Sequence, residues 1–199
     1  SARNTAAGGD VSQAFKIVSF TSGRENPEWV TLKTEETATH AAGQALVARS
    51  GEAPGVDLRS LQARCTHLLD SAAFYARSAA AQVELGPAFR WLGKLWRSED
   101  GATSETLALL HRPAASGSLA GYLLHPGLLD ACFQVAATTA TTDDTTLSDS
   151  TLLPFALSEL RLYRPAQGDS WWCHAVQTRK HTWDMRLLDQ LGAVVAEIK

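Results

Sequence analysis

The stretch that most constrains this chain is HPGLLDACFQVAATT, residues 125–139. It is apolar on nearly every side, yet it holds one carboxylic acid, Asp130. On a helical period of about 3.6 residues, Leu128, Cys132, Val135 and Thr139 share one face. Asp130, Phe133, Gln134 and Ala137 share the opposite one. Neither face carries a charge apart from Asp130, so the spacing predicts a helix over 126–139 enclosed almost all round.

The flanking segments read as the material that would enclose it. AFKIVSF (14–20) alternates like a strand, and EWVTLK (28–33) and ATHAAGQALVAR (38–49) read as two more, with Gly43 as a bulge position. SGEAPG (50–55) has linker composition and sets a boundary between residues 1–55 and 56–199. Residues 57–65 and the Ala-rich 68–82 carry helical spacing. GPAF (86–89) breaks that helix and opens a strand over 89–98, which returns through 103–112 as a hairpin. Residues 138–150 are polar and turn-prone, and strands are predicted over 154–164, 170–179 and 183–199, the last bent near Gln190 to Gly192. Helices, a hairpin, an enclosed helix and a strand meander make an α+β arrangement: an antiparallel sheet packed around one helix.

Composition excludes several function classes. The net charge of -3 and the scattered basic residues leave no basic stripe for nucleic acid, the densest run being Arg179-Lys180-His181. Cys65, Cys132 and Cys173 stand far apart without metal-ligand spacing, so no metal site is expected and free thiols in a cytoplasmic protein are the natural reading. No apolar run approaches the length of a membrane span, and no signal pattern opens the chain. Glycine-rich phosphate loops and nucleophile elbows are absent from the sequence.

Two readings of Asp130 stand side by side. Burial on an apolar helix disfavours the charged form of a carboxyl, which suits it to hold a proton and release it on demand. Gln134, one turn on, is spaced to hold that carboxyl in one rotamer by a hydrogen bond. The alternative is a structural aspartate that caps the N–H groups of a neighbouring loop. His125, next to Pro126, reads as the residue that fixes the start of the helix. Cys132 points to the face opposite Asp130 and shares no site with it. Trp91, Trp96, Trp171, Trp172 and Trp183 read as core and sheet-face packing.

LGPAFRWL, LHPGLLDACFQ, LLPFALSELRLY and LLDQLGAVVAEIK follow one another in an order and spacing that resembles the dehydratase domains of modular polyketide synthases. Residues from about 14 onward carry the resemblance as a coarse pattern. It implies a double hotdog, each half an antiparallel sheet wrapped around a central helix, with 56–199 as the C-terminal hotdog and 1–55 as the end of the first plus a linker. The family joins a His in H-x-x-x-G-x-x-x-x-P to an Asp in D-x-x-x-Q/H. Asp130 and Gln134 match the second motif, so the resemblance implies Asp130 as the catalytic acid, supported by Gln134, His125 and Pro126. Leu85, Gly86, Pro87, Phe89, Phe133 and Pro154 are the implied pocket residues, with Leu85 standing where the family has Tyr.

None of the six histidines has Gly four residues on. The chain is therefore expected to begin within the first hotdog and to be inactive in isolation. The resemblance further implies dehydration of a β-hydroxyacyl thioester to an α,β-unsaturated thioester. The substrate would ride on the phosphopantetheine of an acyl carrier protein, with no cofactor of the domain's own. Neighbouring synthase domains, a second copy or an upstream half-domain are the implied partners, and Arg161, Arg164 or Arg179 are candidates for carrier docking. A non-catalytic structural module, or a dehydratase-like cyclase or double-bond isomerase, are the alternatives.

Overall fold

A computed structural model of the chain describes residues 11–20, 37–47, 53–98, 104–139 and 153–199. The segment 28–33 and most of the loop 138–150 lie outside the described residues. The chain divides into two units between Gly51 and Glu52.

In the first unit, strand β1 (Val11–Phe20) pairs antiparallel with β2 (Thr37–Val47). The bulge lies at His40, which is skipped between the pairs Ile17–Ala41 and Val18–Thr39, not at Gly43. Gly43 has another task. It lies opposite Phe15, whose ring covers it so closely that a Cβ there would come within 2.8 Å of the ring.

The second unit builds a seven-stranded antiparallel sheet whose strands lie side by side in the order 65–69, 92–98, 105–111, 170–179, 182–188, 194–198 and 160–162. Helix α1 (Leu58–Arg64) starts at Asp57, whose carboxylate accepts the N–H groups of Arg59 and Ser60. Strand β3 (Cys65–Leu69) follows at once and pairs with β4 (Leu92–Ser98). Helix α2 (Ser71–Ala80) opens on Asp70, which caps Ala72 N–H at 2.8 Å. Strand β5 (Glu105–His111), helix α3 (Pro126–Thr139), and strands β6 (Leu160–Leu162), β7 (Ser170–Arg179), β8 (Thr182–Leu188) and β9 (Val194–Ile198) complete the unit.

Three expectations from the sequence are corrected here. Residues 65–69 are an edge strand rather than parts of two helices, because pairing with β4 outweighs the helical propensity of their surroundings. The expected strand 154–164 is ordered into the sheet only at Leu160–Leu162. The long strand 183–199 is a hairpin: Asp189 accepts the N–H groups of Leu191 and Ala193, both at 2.9 Å, and Gly192 takes a φ of 86°. That turn reverses the chain rather than bending it.

Helix α3 lies against β4, β5, β7 and β8. Leu128, Ala131, Cys132, Val135 and Ala136 meet Leu95, Ala108, Leu110, Trp171, Cys173, Ala175 and Leu187 in one cluster. Each large aliphatic side chain buried there contributes roughly 1.5–3 kcal/mol. The other face of the sheet carries a second cluster, in which Leu61 of α1 packs with Cys65, Leu107, Leu188 and Val194. Alternation along the strands thus buries both faces. Trp91 and Trp171 meet at a tilt within the first cluster, with ring centres 5.9 Å apart, and Trp96 pairs with Trp172 at the same distance beside the second.

Candidate functional site

Helix α3 is not enclosed all round. The side bearing Leu128, Cys132 and Val135 is fully buried, whereas Leu129, Asp130, Phe133 and Ala137 are only half-buried. The sheet curls around one side of the helix and leaves the Asp130 side partly open. The sequence expectation of a helix enclosed almost all round is corrected on this side.

The start of α3 is fixed by His125 and Gly127. His125 Nδ1 accepts the N–H of Gly127 at 3.1 Å, so the proton of its neutral ring lies on Nε2. The ring is wedged between Trp91 and Tyr122, with centre-to-centre distances of 5.5 and 5.0 Å. Pro126 occupies the first helical position, where no N–H is required. His125 therefore caps and orients the helix.

Asp130 and Gln134 meet as their spacing predicts. Gln134 Nε2 donates to Asp130 Oδ2 at 2.7 Å and to the backbone carbonyl of Phe89 at 2.9 Å. That carbonyl belongs to the short 3-10 turn Pro87–Phe89, which Arg90 clamps by donating from Nε to the Leu85 carbonyl at 2.9 Å. The GPAF segment thus meets Gln134, not Asp130 itself, through its main chain. Gln134, although on the Asp130 side of the helix, is 6% exposed because these partners cover it.

Tyr75 on α2 completes the group, and the sequence did not single it out. Its hydroxyl donates to Gln134 Oε1 at 3.3 Å and accepts the N–H of Leu92 at 3.1 Å. Burial pushes its phenol above the ordinary value, against the downward pull of the Leu92 N–H and the Arg90 charge. The available signal was slight: one tyrosine on an Ala-rich helix.

The other candidates fall in different places. Phe133 lies on the same helix side as Asp130, and Gly86, Pro87 and Phe89 form the exposed turn beside it. Pro154 is exposed in the irregular stretch before β6, next to Phe155, which is also fully exposed. Cys132 is buried on the sheet side of α3, away from Asp130 as expected, and its thiol donates to the Leu128 carbonyl at 3.4 Å. The neighbouring Cys132 thiol and burial push the Cys173 thiol well up. Arg161 and Arg164 are paired with Glu159 and Asp189, at 2.8 and 3.4 Å. His174 is buried on the sheet face away from α3, bonded to Glu105 at 2.7 Å.

Among the described residues no three His, Cys, Asp or Glu side chains gather as a metal site requires. No helix among them is long and apolar enough to cross a membrane.

Comparison with known proteins extends this geometry. A family model described as the polyketide synthase dehydratase N-terminal domain matches residues 53–199. The chain is 28% identical over 172 residues to polyketide synthase PksN of Bacillus subtilis, covering 83% of this chain and 3% of that protein. It is 30% identical over 152 residues to phthioceranic/hydroxyphthioceranic acid synthase of Mycobacterium tuberculosis, covering 74% of this chain and 7% of that one. The solved dehydratase domain from the CurF module of curacin polyketide synthase superposes with a TM-score of 0.77 at 25% identity. That match covers 94% of this chain and 62% of the solved one. The hotdog architecture, the helix that presents Asp130 and Gln134, and these matches agree: the chain belongs to the polyketide synthase dehydratase family.

Proposed function

We propose that this chain supplies the acid half of a dehydratase site, with Asp130 as the proton donor. A base removes the α-proton of a β-hydroxyacyl thioester, and its electron pair becomes the Cα=Cβ bond. The C–O bond to the β-hydroxyl breaks, and the Asp130 proton converts the departing hydroxide into water. An unprotonated hydroxide leaves poorly, so the donor must face the hydroxyl and stay fixed. The observation that carries this reading is the Gln134 carboxamide bridging Asp130 Oδ2 and the Phe89 carbonyl. It holds one carboxyl oxygen while the half-open side of α3 leaves the carboxyl accessible.

The Asp130 motif is why we assign 56–199 to the acid-bearing, C-terminal hotdog and 1–55 to the end of the first hotdog and a linker. The base on this reading is a histidine in the family's H-x-x-x-G-x-x-x-x-P form, which the sequence does not contain. The substrate is carried on the phosphopantetheine of an acyl carrier protein, and neighbouring synthase domains are the other partners. Arg179, exposed at the end of β7, is the docking candidate that has no acidic partner among the ion pairs described. The three buried, unbridged cysteines suit a reducing compartment such as the cytoplasm.

Mass spectrometry of a β-hydroxyacyl carrier protein tests the proposal. Incubated with the full synthase module it should lose one water and gain the α,β-unsaturated thioester, whereas the 199-residue chain alone should leave it unchanged. A module that binds the carrier but never dehydrates its cargo would favour a structural role.

A further inference from the structure

The hydrogen bonds around Gln134 have a fixed direction, and it can be followed donor by donor. The Leu92 N–H has only a proton to give, so Tyr75 Oη accepts it at 3.1 Å. The phenol's own proton is then free for Gln134 Oε1 at 3.3 Å. The Phe89 carbonyl can only accept, so the Gln134 amide nitrogen must face it at 2.9 Å. Both constraints orient the carboxamide the same way, and its second N–H falls on Asp130 Oδ2 at 2.7 Å. A carboxylic acid receives an N–H far better on its carbonyl oxygen than on its hydroxyl. In the acid form that the proposed function requires, the Asp130 proton then belongs on Oδ1.

We infer that Tyr75 is a positioning residue for Asp130: acting through Gln134, it keeps Oδ2 an acceptor and so leaves the transferable proton on Oδ1. This rests on the reading of Asp130 as the acid. Tyr75 touches neither Asp130 nor a reacting atom, and its ring is held independently by Phe74, edge-on at 5.5 Å, and by Arg90, whose guanidinium lies 5.4 Å from the ring centre. Burial keeps the phenol protonated and able to donate. Without the Tyr75 hydroxyl, Gln134 loses one of its two orienting partners. Its carboxamide can then rotate and present oxygen to Oδ2, which would draw the proton to the wrong carboxyl oxygen.

A double-mutant cycle on turnover in the full synthase module, with Tyr75→Phe and Gln134→Ala, tests this. Tyr75→Phe keeps the ring and its contacts. It should lower kcat by about tenfold, the worth of one hydrogen bond, at an unchanged KM. If Tyr75 acts only through Gln134, the double variant should be no slower than Gln134→Ala, within about twofold. In the nuclear magnetic resonance spectrum of the chain itself, the two Gln134 carboxamide protons should be well separated in the wild type and converge in Tyr75→Phe.

Losses that multiply in the double variant, or a Tyr75→Phe chain with unchanged Gln134 resonances, would overturn the inference. Asp130→Asn separates the two ideas. If it is inactive while Tyr75→Phe leaves turnover and resonances untouched, only the role of Tyr75 falls. If Asp130→Asn turns over normally, the acid reading falls and takes the role of Tyr75 with it, even where the Gln134 resonances respond.

Discussion

Gly127→Ala puts one methyl group where the start of α3 meets the turn that carries the Phe89 carbonyl. The added Cβ would lie 2.8 Å from Trp91 Nε1, 3.3 Å from the Ala88 carbonyl oxygen and 3.3 Å from His125 Nδ1. None of these gives way cheaply. Trp91 is fully buried, in tilted ring contact with Trp171 and His125, and its Nε1 donates to the Ala88 carbonyl at 2.8 Å. Overpacking a rigid site costs roughly 1–3 kcal/mol. Displacing the His125 cap adds about 1 kcal/mol, and replacing a helical glycine returns about 1 kcal/mol. The net expectation is a loss of about 2 kcal/mol, or a fall of about 1 M in the urea midpoint at a typical slope. Tryptophan fluorescence during urea unfolding reads it, because Trp91 and Trp171 lie in the affected core. A variant as stable as the wild type would refute the close approach of helix and turn, and with it the geometry that brings the Phe89 carbonyl to Gln134.

Three further outcomes are expected. Glu105→Gln keeps the shape of a buried side chain but breaks its pairing with Arg64, at 3.0 and 3.2 Å, and with His174; it should cost about 3 kcal/mol in chemical denaturation. Stability of the second unit should fall on acidification. Burial holds His174 below its ordinary value despite the pull of Glu105, so this contribution is complete above the unfolded value of about 6.5 and erodes as pH drops beneath it. Burial raises the Glu105 carboxyl, but Arg64 and His174 outweigh that and hold it low, so its share persists above the ordinary carboxylate range and goes as pH falls through its lowered folded value. Urea midpoints across this range check the sign, and His174→Asn should remove the first decline. Asp57→Ala should lower the urea midpoint in the same assay by uncapping α1.

What the sequence disclosed follows from which interactions are local. Asp130 and Gln134 are one helical turn apart, so their bond could be read from spacing, as could the apolar seam of Leu128, Cys132 and Val135. Tyr75 and the Phe89 carbonyl reach Gln134 from 59 and 45 residues away, and a backbone carbonyl has no sequence signature. Strand β3 escaped because its ordering comes from pairing with β4, and its neighbours are strong helix formers. The β8–β9 turn was visible as a bend at Gln190 to Gly192. Its sharpness comes from the Asp189 carboxylate gathering two N–H groups. The open side of α3 was not legible either, because the helix is apolar there as well, and only the curl of the sheet decides which side is covered.

Asp130→Asn tests most directly whether Asp130 gives its proton to the departing hydroxyl. The amide keeps the size of the side chain and its place on α3 but has no acidic proton to give. Turnover of a β-hydroxyacyl carrier-protein thioester by the full module should fall by about 10²–10⁴-fold, the usual worth of a positioned acid, while the variant still binds the acyl-pantetheine arm. An Asp130→Asn module that dehydrates its substrate at the wild-type rate would contradict the account.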